Sequence, residues 1–184
     1  LTATDDQAPV TGAIANGATT NDNQPMLGGA AEPGATITIT IDGTPVTVTA
    51  DAAGHWSYAP PVLVDGAHSV SVTQTDAAGN VSPATTLSFT ADTTAPAAPT
   101  LAATDDVAPV VGAIANGSTT NDNVPVLSGA AEPNATVTLT IDGAPVTVTA
   151  DGAGVWSFTP AALADGLHSV SVTQTDAAGN VSPA

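Results

Sequence analysis

The feature that most constrains this chain is an internal repeat. Leu1-Thr2-Ala3-Thr4-Asp5-Asp6 returns as Leu101-Ala102-Ala103-Thr104-Asp105-Asp106, and the 100-residue register runs on without a gap. Positions 1–84 and 101–184 are identical at 65 places and differ at 19. Whatever the chain folds into, it must fold into twice, as modules of about 90 to 100 residues, near the usual size of a domain. The expected boundaries are a first module over residues 1–92, a linker over 93–100 (Thr-Thr-Ala-Pro-Ala-Ala-Pro-Thr) and a second module over 101–184. The second copy stops before a counterpart of Thr85 to Asp92, so its last strand is expected to be incomplete.

Within a copy the apolar residues fall in short runs of period two, rich in Val, Ile and Thr and separated by Gly, Pro, Asn and Asp. That is the signature of strands and turns. Ala35-Thr36-Ile37-Thr38-Ile39-Thr40-Ile41 puts its isoleucines on one face and its threonines on the other. Further strands are expected around Leu1–Thr4, Pro25–Ala30, Val46–Thr49, His55–Tyr58, Ala67–Thr73 and Val81–Thr90, the last turning Leu87 and Phe89 inward. Seven short strands in about 90 residues is the count of an immunoglobulin-type sandwich. The expected fold is all-β: two tandem immunoglobulin-like, seven-stranded β-sandwiches arranged end to end, each with one core tryptophan, Trp56 or Trp156.

Charge narrows the function. The chain has 17 acidic residues, three histidines and no lysine or arginine, a formal charge of −17. Nucleic acid is excluded as a partner, because displacing counterions from phosphates takes Lys or Arg. Anionic membrane surfaces are excluded for the same reason. High acidity can signal disorder, but 42% of the residues are hydrophobic and only 9% charged, so a folded chain is expected. Without lysine or arginine, the carboxylates are expected to be satisfied by water, backbone N–H groups or an external ion. Cysteine is absent, which removes disulfides and thiolate chemistry. Leu1 begins in mid-repeat, and no signal peptide or membrane span is visible, so targeting signals are expected elsewhere in a longer protein.

Threading an antiparallel sandwich from end to end places every carboxylate in a connection or at a strand terminus. One end of the first module receives Asp5, Asp6, Asp22, Asp42, Asp65 and the exit residue Asp92, while the opposite end of the second receives Glu132, Asp151 and Asp176. Asp and Asn also favour turns for their own sake, and that suffices for a single Asp-Gly such as Asp42-Gly43. For the whole set, like charges brought together without a base repel even in water. Calcium, which takes six to eight oxygens with tolerant geometry, is the expected remedy. The candidate ligands are Asp5, Asp6, Asp22, Asp65, Asp92 and Asp176, together with the repeat counterparts Asp105, Asp106, Asp122, Asp165 and Asp76. Neither an EF-hand loop nor the glycine-rich nonapeptide of calcium-binding β-helices is present.

Four motifs in fixed order carry a resemblance: Asp-Thr-Thr-Ala-Pro at 92–96, Thr-Asn-Asp-Asn at 20–23 and 120–123, Gly-Ala-Ala-Glu-Pro at 29–33 with Gly-Ala-Ala-Glu-Pro at 129–133, and Thr-Asp-Ala-Ala-Gly-Asn-Val-Ser at 75–82 and 175–182. The chain resembles the bacterial immunoglobulin-like repeats of giant Gram-negative surface adhesins, a group that includes RTX-type, type I-secreted adhesins, biofilm-associated proteins and the extender region of an ice-binding adhesin. The resemblance implies an extracellular, calcium-stiffened rod at the cell surface, its parent anchored in the outer membrane. It also implies calcium at module junctions, held by the linker Asp92 and by Asp176.

The remaining residues favour no catalyst. Nothing matches G-x-S-x-G or H-E-x-x-H, and the acids sit in repeated turns. His68 and His168 share strand faces with valines, which points to partly buried histidines with hydrogen-bond partners. His55 is Val155 in the other copy, and the Asn134 sequon is absent from copy one. The expected function is a non-enzymatic spacer in a large adhesin, with neighbouring repeats and Ca2+ as partners and the fragment monomeric. The alternatives are a module that binds carbohydrate or a host protein, and an accessory domain of a secreted hydrolase.

Overall fold

A computed structural model describes residues 1–184. The chain divides into two compact units, Leu1–Thr94 with Ala177–Asn180, and Ala95–Asp176 with Val181–Ala184. All regular structure is β, and no helix is long and apolar enough to cross a membrane.

In the first unit the strands are β1 (Thr2–Asp5), β2 (Gly12–Ala13), β3 (Ala18–Thr20), β4 (Met26–Ala30), β5 (Thr36–Ile41), β6 (Thr44–Thr49), β7 (His55–Tyr58), β8 (Gly66–Thr75) and β9 (Thr85–Ala91). They form two sheets, ordered β2-β1-β4-β7 and β3-β9-β8-β5-β6. The period-two runs become the long strands because alternate Ile and Val bury while Thr and Ser face outward. On β5, Ile37 and Ile39 are fully buried and the intervening threonines pair across strands, Thr38 opposite both Thr47 and Thr73. Phe89 is buried and Leu87 packs half-buried against the same core. Two short strands go beyond the expected seven. β2 is a two-residue hairpin partner of β1, and β3 leaves that sheet to run parallel to β9. Runs of two and three residues carry no readable periodicity, and β3 is a strand only because β9 offers it an edge.

Two glycines are required by geometry. Gly29 lets the ring of Trp56 lie flat against β4, where an added Cβ would meet the indole at 3.1 Å. Gly43 follows Asp42 in the hairpin between β5 and β6, and both have positive φ, 83° and 48°, as a two-residue type I′ turn demands.

The second unit repeats the plan with β10 (Ala102–Asp105), β11 (Gly112–Ile114), β12 (Val126–Ala130), β13 (Thr136–Ile141), β14 (Ala144–Thr149), β15 (Val155–Phe158) and β16 (Val170–Thr175). One sheet, β11-β10-β12-β15, matches its counterpart. The other, β14-β13-β16, has three strands. No residues of the second unit correspond to β9, so residues 118–120 have no parallel partner and form no strand. β16 begins at Val170, and Val170 is half-buried where Val70 is buried.

Calorimetry should therefore resolve two transitions, the lower belonging to the second unit. Ile39→Ala and Leu139→Ala each remove a fully buried branched side chain, at a cost of about 2–5 kcal/mol. Ile39→Ala should lower only the upper transition and Leu139→Ala only the lower. A single transition moved equally by both contradicts this assignment.

Candidate functional site: loop carboxylates and the linker

The alternation of β1 turns Ala3 and Asp5 inward, so a carboxylate is carried into the sandwich. Asp5 is 6% exposed and Asp22 is 1% exposed, and no lysine or arginine exists to pair with either. Thr20 joins them. Its hydroxyl donates to Asp5 Oδ2 at 2.5 Å and accepts from the Asp22 N–H at 3.1 Å. The Gln7 N–H donates to Asp5 Oδ1 at 2.8 Å. Asp22 accepts from the Gln24 N–H at 2.8 Å and the Asp6 N–H at 3.3 Å. Asp105, Thr120 and Asp122 repeat the network, with Val107, Val124 and Asp106 as the backbone donors. Such hydrogen bonds offset the burial of a charge, each to a charged acceptor contributing about 1.5–3 kcal/mol.

Asp65, in the loop before β8, reaches the first residues of the linker. Its Oδ1 accepts from the Thr93 N–H at 3.0 Å and the Thr93 hydroxyl at 2.8 Å, and its Oδ2 accepts from the Thr94 hydroxyl at 2.9 Å. These bonds, the Thr93 N–H foremost, hold the Asp65 carboxyl below its ordinary pKa. Asp92 closes the same turn: its N–H donates to the Thr20 carbonyl and its Oδ1 accepts from the Thr94 N–H at 3.1 Å. The end of the first unit therefore gathers Asp5, Asp22, Asp65 and Asp92 through Thr20, Thr93 and Thr94. Asp6 is exposed and takes the Gln7 amide at 2.9 Å. Asp76 lies in the connection between β8 and β9. It folds the loop onto itself, with the Asn80 side-chain amide first among the donors that lower its pKa, followed by backbone N–H groups. Asp176 is likewise engaged, while Asp106 and Asp165 are exposed.

Two carboxylates do find a side-chain partner that can carry positive charge within their own unit, a histidine, against the expectation that water, backbone or an outside ion must serve. His68 is 6% exposed and tilts against Phe89 on β9. Its Nδ1 lies 2.7 Å from Asp42 Oδ2 and its Nε2 lies 2.8 Å from the Val64 carbonyl. Both partners only accept, so the full arrangement needs both ring nitrogens to donate, which is the imidazolium. Asp42 in turn accepts the Ser69 N–H at 2.8 Å, tying the type I′ turn to β8. His168 and Asp142 repeat the pair at 2.7 Å, with Ala164 in place of Val64.

Burial opposes the charge on both partners in the first unit but is outweighed. The Asp42 hydrogen bond and the Val64 carbonyl raise His68, and the Ser69 N–H and His68 lower Asp42. For His168 the Asp142 hydrogen bond leads and the pKa is again raised. The histidine contribution is complete below its ordinary value near ~6.5 and fades as pH rises through the raised one. The aspartate contribution is complete above ~4 and is lost as pH falls through the lowered value. Between those limits the pair is intact. The first unit should melt several degrees higher at about pH 5.5 than at about pH 8.5. His68→Gln should flatten that difference, and an unchanged pH dependence in the variant would overturn the pairing.

Calcium requires several oxygens converging on one point. Among the described residues no group of three or more His, Cys, Asp or Glu side chains is placed to hold a metal ion. Within each unit the buried carboxylates face N–H and O–H donors, so neither unit presents a preformed calcium cage.

Thr20, Thr93, Thr94 and Gln174 organise these carboxylates and the linker, and residue spacing alone does not single them out. Gln174 is 2% exposed on β16. It accepts the Glu132 N–H at 2.6 Å and donates to the Ala97 carbonyl at 2.6 Å. A signal exists in the repeat: of the glutamines in copy one, Gln7 and Gln24 become valines in copy two, and only Gln74 is kept.

The model of the bacterial Ig-like domain matches residues 1–93 and again residues 94–184. No curated protein matches the chain. Among solved structures it is similar to a Ca2+-stabilized adhesin with which an Antarctic bacterium reaches out and binds ice, at 28% identity and a TM-score of 0.39, over 97% of this chain and 52% of that one. It is similar to a 1.5-MDa bacterial ice-binding adhesin at 27% identity and a TM-score of 0.38, over 97% and 68% of the two chains. A biofilm-associated protein shares 20% identity at a TM-score of 0.31, over 91% and 27%. The chain thus spans about half the length of the first of these structures. With a domain model matched across both halves and a β-sandwich in each, the chain belongs to the bacterial Ig-like domain family and contains that domain twice.

Proposed function

We propose that the chain is a structural spacer, a segment of a tandem array that holds an adhesive part of a large bacterial surface protein away from the cell. The observation that carries this reading is repetition within one family: two bacterial Ig-like domains identical at 65 of 84 aligned positions, down to the Asp5–Thr20–Asp22 and Asp42–His68 networks and their counterparts. A spacer is served by copies of one unit, because each copy adds the same length. The aromatic residues agree with this. None of the five is exposed, so no face offers the stacking platform that sugars favour.

Calcium is the cation we assign to this spacer, with Asp92 as the ligand to test first and Asp5, Asp6, Asp22, Asp65, Asp76, Asp105, Asp106, Asp122, Asp165 and Asp176 as the wider set of loop donors. Support comes from the net charge of −17 without lysine or arginine, and from the sequence resemblance to calcium-stiffened adhesin repeats. A divalent ion lowers the mutual repulsion of loop carboxylates and so favours the folded, ordered arrangement. The spacer itself performs no chemistry, and its place is extracellular.

Melting in millimolar calcium and in chelator tests the calcium assignment. A site that binds only the folded form and is held at about 100 times its Kd adds about 2.7 kcal/mol, a shift of several degrees. Asp92→Ala should reduce that shift. A wild-type melting temperature indifferent to calcium contradicts the assignment.

A further inference from the structure

The linker joins the two units through eight residues rich in proline and alanine, a composition that by itself would leave its backbone largely untethered. Four of those residues are hydrogen-bonded to a unit. In the first unit Asp65 takes both hydrogen-bond donors of Thr93 and the hydroxyl of Thr94. The loop that carries Asp65 is itself pinned, because His68 Nε2 bonds the carbonyl of the preceding residue, Val64. In the second unit the Gln174 amide donates to the Ala97 carbonyl. Thr100 pairs with Ala130 in both directions, its N–H donating at 2.9 Å and its hydroxyl accepting at 2.8 Å.

We propose that Asp65 and Gln174 are linker-positioning residues: a carboxylate that clamps the outgoing chain of one module and an amide that clamps the incoming chain of the next. The clamp needs no metal, because every bond in it runs between a protein donor and a protein acceptor. It is built into the repeat. Asp165 occupies the outgoing position of the second copy and Gln74 the incoming position of the first, and Gln74 already accepts the Glu32 N–H at 3.0 Å as Gln174 accepts Glu132. In an array of such modules each linker would be held from both sides at fixed points, so linker stiffness is set by the modules and calcium acts on a chain already restrained. The inference rests on the spacer reading and adds to it the residues that set the linker's freedom.

Asp65 is exposed, so its substitution leaves the core intact. The test is amide hydrogen exchange at Thr93 in the full chain, in chelator, for wild type, Asp65→Ala and Asp65→Asn, with melting of the first unit as the folding control. In wild type the Thr93 amide should be protected without calcium. Asp65→Ala should speed its exchange about tenfold or more, and Asp65→Asn, which keeps an acceptor oxygen, should retain part of the protection. Gln174→Ala should broaden the distribution of distances between spin labels placed on the two units in chelator. Thr93 exchanging at the unstructured rate in wild type, or equally in wild type and Asp65→Ala, overturns the clamp. Because those measurements are made in chelator, that result leaves the calcium assignment and the spacer reading standing. Protection that appears only on adding calcium assigns Asp65 to the ion and also overturns the clamp.

Discussion

Seventeen carboxylates without a lysine or arginine have to find their hydrogen-bond donors elsewhere, and the structure is arranged by where they find them. An unpaired carboxylate inside a sandwich is costly, and several clustered at one end repel one another. Asp5 and Asp22 resolve this with N–H groups and the Thr20 hydroxyl, Asp76 with its own loop, Asp65 with Thr93 and Thr94, and Asp42 with His68 and Ser69. The Asp5, Asp42 and Asp65 solutions fasten a loop to a strand or to the linker, and the Asp76 solution closes its own loop. Carboxylate hydrogen bonds thus fasten the connections of a sandwich that has no cysteine to cross-link them.

The same constraint links fold to function. Faces covered with Thr and Ser stay polar without adding charge, so negative charge is confined to strand ends and connections. Confinement gathers the carboxylates in the connections, where Thr20, Thr93, Thr94 and backbone N–H groups meet them. The two histidines kept in the repeat place one buried or half-buried imidazole beside each Asp-Gly turn, and the aspartate hydrogen bond raises the pKa of each.

Much of this was legible in the residues. The 100-residue register shows two units, and the Ile-Thr alternation at 36–41 shows which face is core. The threading that puts Asp65 and Asp92 at one end agrees with their shared contacts to Thr93 and Thr94. β2 and β3 were not legible, because strands of two and three residues are created by the edge they join. Nor was the partner of each carboxylate: Asp5 meets Thr20 across 15 residues and Asp42 meets His68 across 26, and neither spacing belongs to a local motif. The retention of His68 and Gln74 in a second copy that loses His55, Gln7 and Gln24 is the trace those contacts leave in the sequence.

Loop carboxylates are held by donors of the protein itself, without need of an ion. A side-chain carboxyl titration by NMR in calcium-free buffer tests it most directly. Asp42, Asp65 and Asp76 should each titrate below the ordinary aspartate value, because each is stabilised in its charged form by named donors. If the three titrate at the ordinary value and shift downward only when calcium is added, the ion organises these loops and the account is wrong.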